Sequence, residues 1–151
     1  MVKRNHKKCF TLIELMFVML IIGNLAAIAI PVYKAQVINA KLTEVTNAMS
    51  YVASSLTIYH LNATQGGATN VWPNCGSIID IQTSLGVGLG ALGRMSAASV
   101  NQTTGVISMT VGNIDTTVDG STITLSPSTA ADSSISWKWG GTLPTKYLPK
   151  Q

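Results

Sequence analysis

Phe10-Thr11-Leu12-Ile13-Glu14-Leu15-Met16-Phe17 opens a run that reads FTLIELMFVMLIIGNLAAIAIPV through Val32, with Glu14 as its only ionisable side chain. At about 1.5 Å per residue, roughly 20 helical residues cover the ~30 Å apolar core of a bilayer. The stretch from Leu15 to Val32 approaches that length before Tyr33. Lys3, Arg4, Lys7 and Lys8 stand just ahead of it. Such a cluster holds Met1 to Lys8 on the cytoplasmic side and sends the rest across, a single-pass anchor with its N-terminus inside. A removed secretory signal fits less well. Its apolar core is usually about 7–15 residues and ends at a small-x-small site, whereas this run is longer and meets Pro31-Val32-Tyr33-Lys34. A lipoprotein signal would place its cysteine after the apolar run, and Cys9 precedes it. A carboxylate within a spanning helix costs roughly 2.5–3.5 kcal/mol even on mild insertion scales. Glu14 therefore either lies near the headgroups or has a partner.

The whole chain has 151 residues, 46% of them hydrophobic and only 11% charged, which excludes a disordered polyelectrolyte. Ten Lys or Arg against six Asp or Glu give a net charge of +4, and the four cations of the first eight residues account for that excess. From Cys9 onward the signs balance, so the basic isoelectric point does not describe a nucleic-acid-binding surface.

Lys7-Lys8-Cys9-Phe10-Thr11-Leu12-Ile13-Glu14-Leu15-Met16 resembles the prepilin cleavage and methylation signal shared by type IV pilins and the pseudopilins of type II secretion. The resemblance covers the first fifty or so residues, with Gly23 and Pro31 inside the apolar run. It implies that prepilin peptidase cuts between Cys9 and Phe10, removing a leader of residues 1–9, and that the new amino terminus of Phe10 is N-methylated. The family has Gly before the cut, and this chain has Cys9. In an apolar filament core the freed amine would be an unpaired cation, and Glu14 of a neighbouring subunit its counter-ion, an attraction much stronger there than in water. Phe10 and Glu14 are also i and i+4 on one helix, so pairing within one chain is the alternative.

Beyond the hydrophobic segment 10–33 the expected headgroup spans 34–151. Ile38, Leu42, Val45, Met49, Val52, Leu56 and Tyr59 alternate at spacings of four and three, predicting an amphipathic helix over 34–62. Its stripe packs on its own domain; a coiled-coil seam between chains has the same period. A helix from Thr11 to Asn62 would be roughly 78 Å long, too long to stand alone in water without lipid or other copies around its N-terminal half. Pro31 removes one backbone hydrogen bond and Gly23 loosens the chain, so the segment between them is where bending or local unwinding is expected.

Residues 63–94 read as a loop, punctuated by Gln65-Gly66-Gly67 and Trp72-Pro73-Asn74. Met95–Val100, Val106–Val111, Thr122–Leu125 and Ile135–Trp139 read as four strands of an antiparallel meander over 95–139, followed by a terminal loop, 140–151. The fold class is therefore α+β, and this order matches the pilin fold that the resemblance implies. The ending, Trp137-Lys138-Trp139 and Lys146-Tyr147-Leu148-Pro149, is similar to that of type IVa pilins. Those pilins staple the terminal loop with a disulfide, and here Trp139 occupies the first cysteine position. Burial of Trp137 and Trp139, with Pro144 and Pro149, is expected to replace the staple.

Cys75 has no partner once Cys9 departs, and is either a buried thiol or one end of an intersubunit bond. His60 stands alone, and Asp115 and Asp119 lack the regular array of a calcium loop, so no metal or cofactor is expected. Asn62-Ala63-Thr64 and Asn101-Gln102-Thr103 match the N-glycosylation pattern by coincidence. No Gly-x-Ser-x-Gly or phosphate loop appears, so an enzyme is not expected. The resemblance implies a structural subunit of a type IV pilus, inserted in the inner membrane and polymerised with its own kind at the cell surface by inner-membrane assembly machinery. Fibre roles in adhesion, twitching motility or DNA uptake follow from it, with Lys34, Arg94, Lys138, Lys146 and Lys150 offering weak contact to DNA or anionic surfaces. The rivals are a type II secretion pseudopilin and a single-pass membrane protein with an outer ligand-binding or enzymatic domain.

Overall fold

The computed structural model of the chain describes residues 10–68, 71–130 and 134–149. The leader with Cys9, and Lys150, lie outside the described residues. The chain divides into two compact units, Met1–Val37 and Ile38–Gln151.

A single helix, α1 (Leu12–Gln65), carries residues of both units. In the first unit it is helical without interruption through Gly23 and Pro31. The local unwinding expected between them is not a property of the chain by itself. In the second unit the predicted stripe is buried from Ile38 to Leu56, joined by Ala48 and Ala53. Tyr59 departs from the expectation: it is exposed, so the packed face ends one turn earlier.

Four strands follow, β1 (Met95–Val100), β2 (Ile107–Val111), β3 (Thr122–Thr129) and β4 (Ile135–Gly141), in an antiparallel sheet with spatial order β1-β2-β3-β4. Their inward side chains, Ile107, Met109, Ile123 and Leu125 among them, share one core with the α1 stripe. The register of β1 against β2 shifts between Met95 and Ala97. That one-residue bulge lets Met95 face inward while Ala98 and Val100 also do so, which strict alternation would forbid.

Two expectations need correction. β3 runs past Leu125, because Pro127 lies beyond the last β2 partner, Ile107↔Leu125, where β3 has β4 alone as a neighbour. A residue without an N–H is tolerated where one side of the strand has nothing to bond. Residues 63–94 are also more than a loop. They hold α2 (Ile78–Leu85), capped by the Ser77 side chain accepting from the Asp80 amide and closed by Gly86 at φ 64°, and a 3-10 turn at Leu92–Arg94. Cys75 then bridges to Val100, tying this segment to the edge of the sheet.

Candidate assembly site on the N-terminal helix

The first turn of α1 is built around Glu14. Its Oε2 accepts from the Thr11 amide at 2.9 Å and from the Thr11 hydroxyl at 2.6 Å, while Thr11 Oγ1 accepts from the Glu14 amide at 3.4 Å. This is a reciprocal capping box, which satisfies backbone donors that a helix start otherwise leaves open. Thr11-x-x-Glu14 ahead of an apolar run carries that signal in the sequence, and reading the carboxylate only as a counter-ion misses it. Both Thr11 donors fall on Oε2, which leaves Oε1 available to a second donor.

Around this cap the first unit presents apolar side chains to the outside. Phe10 is 74% exposed and Leu12 83%, and an 18-residue window of α1 with mean hydropathy 2.5 has none of its residues buried. The helix is long and apolar enough to cross a membrane. Gly23 has nothing within 4 Å of the position a Cβ would take, so its side is open to a close neighbour. Pro31 is exposed within the helix.

The second unit disposes of the remaining candidates. Cys75 is wholly buried, its Sγ 3.7 Å from the Asp80 carbonyl, and burial pushes the thiol above its ordinary range. An intersubunit disulfide has no accessible sulfur to use. His60 stacks on Trp72 with ring centroids 4.3 Å apart. Asp119 accepts from the Ile114 and Asp115 amides, and Asp115 from the Thr117 amide and hydroxyl, so both carboxylates organise the β2–β3 loop. Arg94 is engaged with Glu44 at 3.5 Å and with the Asn113 carbonyl at 3.0 Å, which withdraws it from the cations proposed to meet DNA. Asn101 Oδ1 accepts from the amides of Thr103 and Thr104 in a tight turn.

The terminal loop is held differently from the expectation. Trp137 and Trp139 are half-buried and Pro144 is exposed, so they are not the chief restraint. Leu143, 3% exposed, is the buried anchor. Backbone bonds support it, with the Thr142 amide donating to the Thr122 carbonyl at 2.8 Å and the Tyr147 amide to the Pro144 carbonyl at 2.8 Å.

A long helix with an uncovered apolar segment, joined in one chain to a small α+β unit with a four-stranded meander, is the architecture of a filament-forming subunit. Residues 38–151 match the family described as pilin, a bacterial filament, and residues 4–30 match the prokaryotic N-terminal methylation motif. The chain belongs to the pilin family and is a type IV pilin, a structural subunit of a bacterial filament. It is 33% identical to the fimbrial protein EcpC of Eikenella corrodens over 97% of this chain and 90% of that protein. It is 28% identical to the type IV major pilin protein PilE of Neisseria gonorrhoeae over 89% of this chain and 74% of that one.

Proposed function

We propose that the chain is inserted in the inner membrane as a precursor with its N-terminus cytoplasmic, is cut by prepilin peptidase between Cys9 and Phe10, and is N-methylated at Phe10. Inner-membrane assembly machinery then transfers the apolar segment from lipid into a surface filament of identical subunits. The observation that carries this reading is the uncovered apolar face of α1 before Tyr33. Leu20, Ile21 and Ile22 are each more than half exposed, and a side chain of that size gains roughly 1.5–3 kcal/mol when covered. Lipid or sister helices supply that cover, and water does not.

Within the filament, the Phe10 amine meets Glu14 of a neighbour. The capping box favours this over pairing within one chain, because Thr11 already holds Oε2 and the free Oε1 accepts from outside while the helix start stays intact. Gly23 and Pro31 bracket the compliant stretch that yields when the helix moves from bilayer to filament, since an exposed proline leaves one helical bond unmade. The fibre serves attachment, twitching motility or DNA uptake through its surface, without catalysis.

Mass spectrometry of the N-terminus from fibres sheared off cells tests the reading. A methylated Phe10 is expected. An intact Met1 leader, recovered only in membranes, would overturn it.

A further inference from the structure

The unit Ile38–Gln151 begins where the packed face of α1 begins, and the terminal loop lies against that start. Lys146, Tyr147 and Leu148 of the loop and Asn39, Thr43 and Thr46 of α1 line a depression of about 290 Å³. Asn39 stands six positions after Tyr33, which follows the apolar run. Even fully extended, that many residues span only about 22 Å. The chain therefore tethers this depression close to the surface of any bilayer that holds the apolar segment, however the two units are arranged.

Each wall offers its own kind of group. Lys146 Nζ stands 4.6 Å over the Tyr147 ring and makes no ion pair among the described residues. Asn39, exposed on the helix wall, adds an amide donor. Thr43 Oγ1 donates to the Asn39 carbonyl at 2.9 Å and Thr46 Oγ1 to the Thr43 carbonyl at 3.1 Å, so both hydroxyls have committed their hydrogen and present only lone pairs. Tyr147 and Leu148, both half-buried, give the depression an apolar side. No carboxylate side chain among the described residues lines it. On the opposite flank of α1, Glu44 pairs with Arg94 and Lys41 donates to the Ile114 carbonyl, in the loop that Asp115 and Asp119 organise. That flank sets three carboxylates against two cations, whereas the depression has a cation alone.

We infer that this depression seats the headgroup of an anionic, hydroxyl-bearing phospholipid, phosphatidylglycerol in kind, while the inserted chain awaits assembly. Lys146 and Asn39 donate to the phosphodiester, Thr43 and Thr46 accept from the headgroup hydroxyls, and Tyr147 and Leu148 lie along its apolar end. The inference deepens, and rests on, the reading of the chain as a membrane-inserted precursor. Neutral phosphatidylcholine has neither the net charge nor the hydroxyls to match these groups. Attraction of a lysine to an anionic leaflet fades within a Debye length, so the seat is filled only beside lipid and is vacated when the chain leaves the bilayer.

The test uses the full chain as Cys9→Ser, with Thr145→Cys beside the depression or Thr116→Cys on the opposite flank labelled with bimane. Each is reconstituted in phosphatidylcholine vesicles with or without phosphatidylglycerol, plus a trace of lipid spin-labelled at its headgroup. With phosphatidylglycerol present, quenching at position 145 should exceed that at 116 by more than about twofold. Omitting phosphatidylglycerol, substituting Lys146→Glu, or adding about 1 M salt, where the Debye length is roughly 3 Å, should each bring it down to the level at 116. Lys146→Glu should leave the near-ultraviolet circular dichroism spectrum unchanged, which separates a lost contact from a lost fold. A chain that floats with the vesicles after an alkaline wash, yet is quenched equally at both positions, would overturn the seat and leave the inserted precursor standing. So would quenching at 145 indifferent to phosphatidylglycerol or to Lys146→Glu, the result a seat for a second copy would give. A chain that does not float would remove the inserted precursor and the seat with it.

Discussion

Leu20 and Leu56 belong to the same helix, yet Leu20 is 59% exposed and Leu56 is wholly buried. The difference lies in the neighbours of each residue. Leu56 belongs to a core that the chain's own later segments complete, Trp72, Ile107 and Leu125 among its members. Leu20 shares its surface with Ile13, Met16 and Phe17, exposed apolar residues of the same helix. One half of α1 is therefore folded by its own molecule, and the other half is complete only in an apolar medium or among its copies.

That comparison can be broken most sharply at Glu14. Glu14→Gln keeps a side chain able to close the capping box and removes only the charge. In the proposed filament this leaves the Phe10 amine without its counter-ion in an apolar core, so sheared fibres of this variant should fall below detection on a gel. Thr11→Ala should cost the helix start about 1 kcal/mol and leave fibre yield nearly unchanged. If Glu14→Gln assembles as well as the unaltered chain, capping is the whole role of the carboxylate.

The next largest effect compares the two leucines. In detergent-solubilised full chain, Leu56→Ala should lower stability by about 2–5 kcal/mol in a near-ultraviolet circular dichroism melt. Leu20→Ala should leave that melt within about 0.5 kcal/mol. Equal shifts would mean the two halves are not independent. Gly105→Ala should cost about 1–3 kcal/mol in the same melt. Its backbone has φ 71°, and an added Cβ would stand 2.5 Å from the Trp72 indole.

The smallest effect belongs to Cys75. In a Cys9→Ser chain at pH 8, the remaining thiol should react with Ellman's reagent more than ~10-fold slower than in the unfolded chain. Burial raises the native thiol above its ordinary value of 9.0. The folded state thus binds that proton more tightly than the unfolded state does. Its contribution to stability is full below pH 9 and is lost as pH climbs from there through the higher native value. A thiol that reacts at the unfolded rate would place Cys75 on the surface.

Periodicity made most of this fold readable in advance. The stripe from Ile38 to Leu56 and the alternation of β2 emerge from spacing, because a buried face imposes its period on the sequence. What escaped is local. Ser77-x-x-Asp80 with Gly86 marks α2, and Thr11-x-x-Glu14 marks the cap, but both signals span only a few residues among stronger patterns. Pro127 looks like a strand stop until the pairing shows that β2 has already ended. The restraint of the terminal loop by Leu143 has no periodic signature, since a single buried side chain in an irregular segment has no repeat to reveal it. For Glu14, the counter-ion role is a proposal about other copies, and no pattern within one chain decides it.

The sheet joins its strands in chain order, each to the next by a neighbouring hairpin. Backbone pairing then spans short stretches of sequence, and topologies of low contact order reach the native state sooner than those knit from distant segments. The headgroup can gain its shape hairpin by hairpin soon after it leaves the ribosome's control, with the helix stripe and the Cys75–Val100 bridge as the distant contacts to close. A monomer so built spends little time with unpaired strands exposed to its neighbours.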